Sequence, residues 1–188
     1  MSPLKIFSHS LLMNRSTAER RGLLFDQSDL PRIRETIQHP RFAPYWKTLL
    51  DADVEADRKF LTKELRLNNH VADMLRARQI LERSSFVYAV VGDLRHLDIA
   101  KLAISRLMEY KKWDYFLEGG EETIGLQRAP EATIAMSFAR EWLGDALTED
   151  LRHEMEKQIA EKGAPACYRT LYGMKYPDRV RGWSFDPS

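Results

Sequence analysis

The stretch that decides the fold runs from Arg128 to Gly163 and reads RAPEATIAMSFAREWLGDALTEDLRHEMEKQIAEKG. Its first half carries apolar residues at the i, i+3, i+4, i+7 spacing of one helical face. These residues are Ala132, Ala135, Met136, Ala139, Trp142 and Leu143. Residues 144–147 break the pattern, and Thr148 can cap a second helix because its hydroxyl accepts a backbone N–H. Gly163 is predicted as the left-handed residue just past that helix, so the stretch predicts a helical hairpin.

Four further helices are predicted ahead of this hairpin, over residues 30–37, 42–67, 70–91 and 94–112. In the second of these helices the middle is mostly charged, so only its ends are expected to be buried. Asn69 is predicted to cap the third helix, and Gly92 to end it. No stretch alternates at period two, which predicts no sheet. A hairpin cannot bury both faces alone, so the sequence predicts an all-α protein of packed antiparallel hairpins.

Composition limits the classes of partner. The 188 residues carry a formal net charge of +1, which gives no strong electrostatic case for nucleic acid or an anionic membrane. No apolar run approaches the roughly 20 residues that span a bilayer. Residues 1–22 are interpreted as a flexible N-terminal arm and residues 23–188 as one helical domain. The N-terminus lacks a convincing signal peptide, and the compartment stays open because a leader could already have been removed.

Few residues point to metal or nucleophile chemistry. The five histidines are scattered, whereas zinc needs three or four ligands at short spacings. The single cysteine, Cys167, excludes an internal disulfide and is interpreted as a small buried hydrophobe. Glu118, Glu121, Glu122 and Glu131 are candidates for paired-carboxylate chemistry, but a solvated acidic loop is the favoured interpretation. We therefore expect no metal and no cofactor.

The C-terminal stretch from residue 168 mixes aromatic and basic side chains without periodicity. Its tyrosines and tryptophan alternate with arginine and lysine, as at Tyr176, Arg179 and Trp183. Aromatic faces stack on sugar rings, and arginine binds carboxylates or sulfates through two parallel hydrogen bonds. The mixture is suited to an acidic polysaccharide. The alternative interpretation is a loop that packs on the helices and leaves its charges in water.

Four segments together resemble the heparinase II/III-type polysaccharide lyases. Residues 24–34 resemble the first helix of that family, and residues 77–93 resemble a helix that ends in a Gly-Asp turn. Residues 129–149 are similar to its alanine-rich helix and the following turn, and Arg181-Gly182-Trp183-Ser184 is similar to its tryptophan segment. The chain departs from the family at Arg140-Glu141, where Tyr-Asp is often found. The resemblance covers residues 23–188. Oligoalginate lyases and dermatan sulfate epimerase share the toroidal architecture of this family.

The resemblance implies part of an incomplete (α/α) toroid and β-elimination at a uronic acid. The catalytic segment of the family normally follows the tryptophan segment, so the chain is expected to be a truncated N-terminal portion with no catalytic residue of its own. Its candidate groove residues are Arg128, Tyr176, Arg179 and Trp183, and its expected partner is an acidic polysaccharide or oligosaccharide. Uncovered helix faces also predict self-association, and the parent protein is expected to be periplasmic or secreted.

Two rival functions remain open. Amphipathic hairpins also build non-catalytic helical-repeat scaffolds that bind a protein partner, and nothing in the sequence separates this alternative from the lyase fragment. A helical domain that binds DNA or RNA is the less favoured rival, because the near-neutral charge provides no basic footprint.

Overall fold

The computed structural model describes residues 22–113 and 128–167, and within these residues the chain is helical with no strand. The α-helices are α1 (Leu30–Thr36), α2 (Ala43–Leu50), α3 (Val54–Lys59), α4 (Leu75–Val91), α5 (Leu94–Glu109), α6 (Arg128–Leu143) and α7 (Glu149–Gln158). Single π-helical turns follow α3, precede α4 and follow α7, at Phe60–Glu64, His70–Met74 and Ile159–Gly163. The all-α prediction is confirmed for the described part.

Helices α4 and α5 form the first hairpin. Gly92 ends α4 with φ +74°, and its N–H donates to the carbonyl of Tyr88 at 2.7 Å. Side chains rarely tolerate this left-handed conformation, so a glycine suits the position. Asp93 then caps α5 by accepting the backbone N–H of Arg95 at 2.9 Å. The predicted turn is confirmed, and it reverses the chain within two residues.

The second hairpin, α6 and α7, packs beside α4. Glu131 of α6 lies 3.8 Å from the Nε of Arg78 of α4, and the ring of Trp142 lies 5.7 Å from that of Phe86. From the first contact to the second, the residue number rises in both helices, from 78 to 86 in α4 and from 131 to 142 in α6. Helices α4 and α6 therefore run in the same direction. The turns that follow them therefore lie at the same end of the molecule, and α5 and α7 return in the opposite direction.

The core lies between the two hairpins. Its largest fully buried aliphatic side chains are Leu61, Met74, Ile80, Leu81, Ile99, Ile104, Leu107, Met136 and Met155. Burial of each contributes about 1.5–3 kcal/mol relative to exposure. On α6 the predicted alanines Ala132, Ala135 and Ala139 are also buried. Their burial confirms the face that the spacing predicted, and their small side chains let the backbone of α6 approach its neighbours.

The predicted single helix over residues 42–67 is wrong. The chain leaves α2 at Leu50 and starts α3 at Val54, because the carboxylate of Asp53 accepts the backbone N–H of Ala56 at 2.9 Å. Aspartate competes in this way for backbone donors and favours helix starts over helix interiors. The charged middle is also partly buried, since Asp57 forms an ion pair with Arg83 of α4.

The predicted role of Gly163 is also wrong. The helix does not end there, since residues 164–167 remain helical and Gly163 lies buried within a π-helical turn. A Cβ at this position would lie 2.1 Å from Oγ1 of Thr133 and 3.2 Å from the ring of Trp113. The glycine is therefore needed for the close approach of α7's extension to α6, and not for a left-handed turn.

Candidate functional site

The candidate site lies at the end of the molecule where α4 and α6 begin, opposite the two hairpin turns. Arg128 at the start of α6 donates from Nε to the carbonyl of His70 at 3.0 Å. Lys162, beyond α7, donates from Nζ to the carbonyl of Tyr110 at 2.6 Å. The start of α6, the π-helical turn before α4 and the π-helical turn after α7 thus meet the end of α5 here. We call this cluster the polar end, and its members are His70, Asp73, Tyr110, Arg128, Glu131 and Lys162.

Tyr110 occupies the centre of the polar end and is fully buried. Its hydroxyl donates to the carbonyl of Arg66 at 3.3 Å. Burial, and next the negative charge of Asp73, raise the pKa of Tyr110 well above its ordinary value of 10.0. The phenol therefore stays neutral near neutral pH. A buried phenol of this kind cannot serve as the tyrosinate base of an elimination, because neither substrate nor water reaches it.

The ring of His70 packs edge-on against Tyr110, with centroids 5.1 Å apart. Its Nε2 lies 3.0 Å from the carbonyl oxygen of Lys112. A carbonyl only accepts, so this contact requires the proton on Nε2. The hydrogen bond ties the start of α4 to the chain that follows α5. His70 is thus positioned by two different elements at the rim of the polar end.

Asp73 organises the segment that enters α4. Its carboxylate accepts the backbone N–H and the Nε of Arg66, each at 2.9 Å, together with the amide nitrogen of Asn69 at 3.2 Å. The side-chain bond from Arg66 is the main reason that the pKa of Asp73 lies below its ordinary value. Asn69 in turn accepts the N–H of Ala72 at 3.0 Å, which confirms its predicted capping role.

Arg128, the one predicted groove residue in the described part, has a side chain that is only 13% exposed. Besides the bond to His70, it donates from Nη2 to the carbonyl of Val71 at 3.1 Å and from Nη1 to Glu131 at 2.8 Å. All three guanidinium nitrogens therefore face protein acceptors. This geometry joins the first turn of α6 to the first turn of the π-helical segment before α4. Its role as a sugar ligand stays a prediction.

An ion chain continues from Arg128 along the seam between α6 and α4. Glu131 lies between Arg128 and Arg78, and Arg78 donates to Glu82 at 2.7 Å. Burial raises the pKa of Glu82 above its ordinary value, and the charge of Arg78 opposes that rise. Of these pairs, only that of Arg78 with Glu131, at 3.8 Å, crosses from α4 to α6.

The other three predicted groove residues, Tyr176, Arg179 and Trp183, lie outside the described residues, and so do the glutamates at 118, 121 and 122. Trp113 and Arg128, the described residues on either side of 114–127, both lie at the polar end. The helical residues 164–167 follow Gly163, which packs against Trp113 and Thr133 near the start of α6.

Metal and thiol chemistry find little support in the residues described. Within residues 22–113 and 128–167, no three His, Cys, Asp or Glu side chains come together as metal ligands. Burial raises the pKa of the Cys167 thiol, which disfavours the nucleophilic thiolate. Among the helices of the same part, none is long and apolar enough to cross a bilayer.

Sequence reasoning missed Tyr110 and the pairing of Arg66 with Asp73. The i, i+3 spacing of Arg128 and Glu131 and the i, i+4 spacing of Arg78 and Glu82 signal part of the ion chain. No family model matches this chain, and no curated protein matches it either.

Proposed function

We propose that this chain is the N-terminal helical part of a polysaccharide lyase that acts by β-elimination on a uronic-acid-containing polysaccharide. In this proposal the two hairpins form an arc of an incomplete (α/α) toroid. The polar end forms one wall of the sugar groove. The catalytic groups lie on polypeptide beyond this segment, so the segment alone is inactive.

The observation that carries the proposal is the parallel arrangement of α4 and α6. In an (α/α) toroid the inner helices all run in one direction, and each is followed by an outer helix that returns. Helices α4 and α6 meet this requirement through the contacts of Arg78 with Glu131 and of Phe86 with Trp142. An up-and-down bundle would instead place antiparallel helices side by side. The four sequence segments that resemble the lyase family support the same interpretation.

The reaction defines what the remainder of the protein must supply. One group neutralises the uronate carboxylate, which makes the neighbouring C–H acidic. A base removes that proton, and an acid protonates the leaving oxygen as the glycosidic C–O bond breaks. In the described part, Tyr110 is too enclosed for the role of base, and Arg128 already binds Glu131. Both observations are consistent with a wall that shapes the groove without performing the chemistry.

The test compares the 188-residue chain with the same chain extended at its C-terminus. Each is incubated with alginate, heparin and dermatan, and unsaturated uronate is followed by its absorbance. We expect no turnover from the 188-residue chain and turnover of one substrate by the extended chain. Turnover by the 188-residue chain would contradict the proposed location of the catalytic groups, and an inactive extended chain that is folded would contradict the lyase itself.

The second candidate is a non-catalytic helical-repeat scaffold, and exposed apolar side chains favour it. Val91 and Leu94 lie on either side of the turn between α4 and α5, and both are exposed. Adjoining exposed apolar side chains can serve protein contacts or self-association. Titration with acidic oligosaccharides separates the two candidates. Absence of sugar binding, together with capture of a defined protein partner, would favour the scaffold. Sizing of the chain at several concentrations tests self-association directly.

A further inference from the structure

Helix α2 is apolar and yet has no buried residue. Its sequence, APYWKTLL, is rich in large hydrophobic residues. The side chain of Tyr45 is nevertheless 73% exposed, and Phe42, just before the helix, is 43% exposed. We call the surface formed by Arg41, Phe42 and Tyr45 the α2 face. Two aromatic rings three residues apart lie on the same side of the helix, so the face presents adjacent aromatic surfaces to solvent.

The opposite side of α2 is what attaches it to the molecule. Trp46 packs edge-on against Phe86 of α4, with centroids 6.0 Å apart and planes at 84°. The preceding helix is held by Arg34, whose Nε donates to the carbonyl of Val90 at 2.7 Å. Phe86 and Val90 lie in the last two turns of α4, whereas the polar end adjoins its first turn. The α2 face is therefore remote from the polar end.

The α2 face carries one positive charge, that of Arg41. The basic side chains of α1 are engaged elsewhere, since Arg32 is paired with Asp29 and Arg34 donates to the carbonyl of Val90. Lys47 is paired with Asp51. The guanidinium of Arg41 has no carboxylate partner within the described part of the chain, and its Cζ lies 5.8 Å from the centroid of Phe42. A cation without an acidic partner thus adjoins two exposed rings.

We propose that the α2 face binds an acidic oligosaccharide. Arg41 takes the carboxylate or sulfate through two parallel hydrogen bonds, while the sugar rings lie against Tyr45 and Phe42. This inference rests on the proposed function, which supplies the acidic polymer. A long polymer would contact the polar end and the α2 face together. The second contact then raises the effective concentration of the chain at the groove without adding catalytic groups.

The test is calorimetric titration of the 188-residue chain with heparin and alginate hexasaccharides, and with maltohexaose as the neutral control. The variants Arg41→Gln and Tyr45→Ala each change an exposed side chain of the face. Lys157→Gln removes the same charge from exposed α7 and serves as the matched control. We expect binding of one acidic hexasaccharide, weakened about tenfold by each α2 variant and less than twofold by the control. Alginate carries carboxylates only, whereas heparin carries carboxylates and sulfates, so binding of heparin alone indicates that sulfate is required.

Each other outcome overturns the inference in a different way. Equal affinity of all variants for an acidic hexasaccharide places the sugar elsewhere and leaves the proposed function intact. No binding by the parent chain overturns the inference, whereas the proposed function is judged separately by turnover of the extended chain. A Tyr45→Ala variant that changes sizing behaviour but not sugar affinity identifies the face as a contact between copies of the chain. Circular dichroism and the melting temperature confirm that each variant is folded.

Discussion

The ring of Phe25 stacks on the indole of Trp142, with centroids 5.3 Å apart and planes at 19°. Phe138 also stacks on the indole, with centroids 4.8 Å apart, and the indole Nε1 donates to the carbonyl of Leu23 at 3.3 Å. Phe86 of α4 also packs edge-on against Phe25. The segment before α1 is therefore attached to the second hairpin, and it covers the seam between α4 and α6 near the hairpin turns.

Replacement of Phe25 by alanine should release this segment. We expect the free energy of unfolding to fall by about 2 kcal/mol, since the ring is half-buried and loses two aromatic contacts. Amide exchange of residues 22–29 should also become faster. Phe42→Ala deletes the same atoms from an exposed position and should change stability by less than about 0.5 kcal/mol. Similar losses from both variants would show that the stacking does not hold the segment.

Gly163 should not tolerate alanine. In an ordinary helix interior this substitution stabilises by about 1 kcal/mol, but here the new Cβ would meet Thr133 and Trp113. We expect instead a loss of about 1–3 kcal/mol in urea unfolding, as for other overpacked sites.

The companion variant Thr133→Ala tests the cause of that loss. It removes Oγ1, the atom that a new Cβ would approach most closely. In a double-mutant cycle, Gly163→Ala should therefore cost less in the Thr133→Ala background than in the parent. A gain in stability from Gly163→Ala alone would mean that α6 and the extension of α7 are less closely packed than described.

Asp73 should contribute far more stability than a surface carboxylate. Its side chain is 10% exposed, and its replacement by alanine leaves the donors of Arg66 and Asn69 without their acceptor. We expect a loss of about 2 kcal/mol. Asp51 pairs with Lys47 in solvent, and Asp51→Ala should change stability by no more than about 0.5 kcal/mol. Thermal unfolding of both variants measures the difference, and equal losses would contradict the organising role of Asp73.

His96 should make stability depend on pH. It is fully buried, and within the described residues neither ring nitrogen has a hydrogen-bond partner. Burial lowers its pKa from 6.5; Arg83 and Arg95 lower it further, while Asp93 and Asp57 oppose the shift. The unfolded state therefore binds the proton more readily than the folded state. The free energy of unfolding should fall as the pH drops below about 6.5 and should level off below the folded pKa.

Urea unfolding between pH 5 and 7.5 measures this dependence. His96→Leu should flatten the profile because it removes the buried titrating group. His153→Gln removes an exposed imidazole of α7 and serves as the surface control. An unchanged slope in His96→Leu would show that another group controls stability in this range.

The helices could be predicted from local pattern, and their packing partners could not. Periodicity located the buried alanines of α6, and turn chemistry located Gly92, Asn69 and Thr148, because each depends on residues within one or two turns. The same reasoning joined α2 to α3, since apolar spacing alone does not show that Asp53 accepts a backbone donor. It also misread Gly163, whose neighbours Thr133 and Trp113 are distant in sequence.

The sequence by itself determined that this chain is helical and where its two main hairpins turn, since helix periodicity, capping and left-handed glycine are local properties. The direction of α6 beside α4, the burial of Tyr110 and the engagement of Arg128 with His70 and Val71 were decided by tertiary structure. These features join residues about 40 to 60 positions apart. No local pattern encodes such contacts, because they form only when whole helical faces exclude water together.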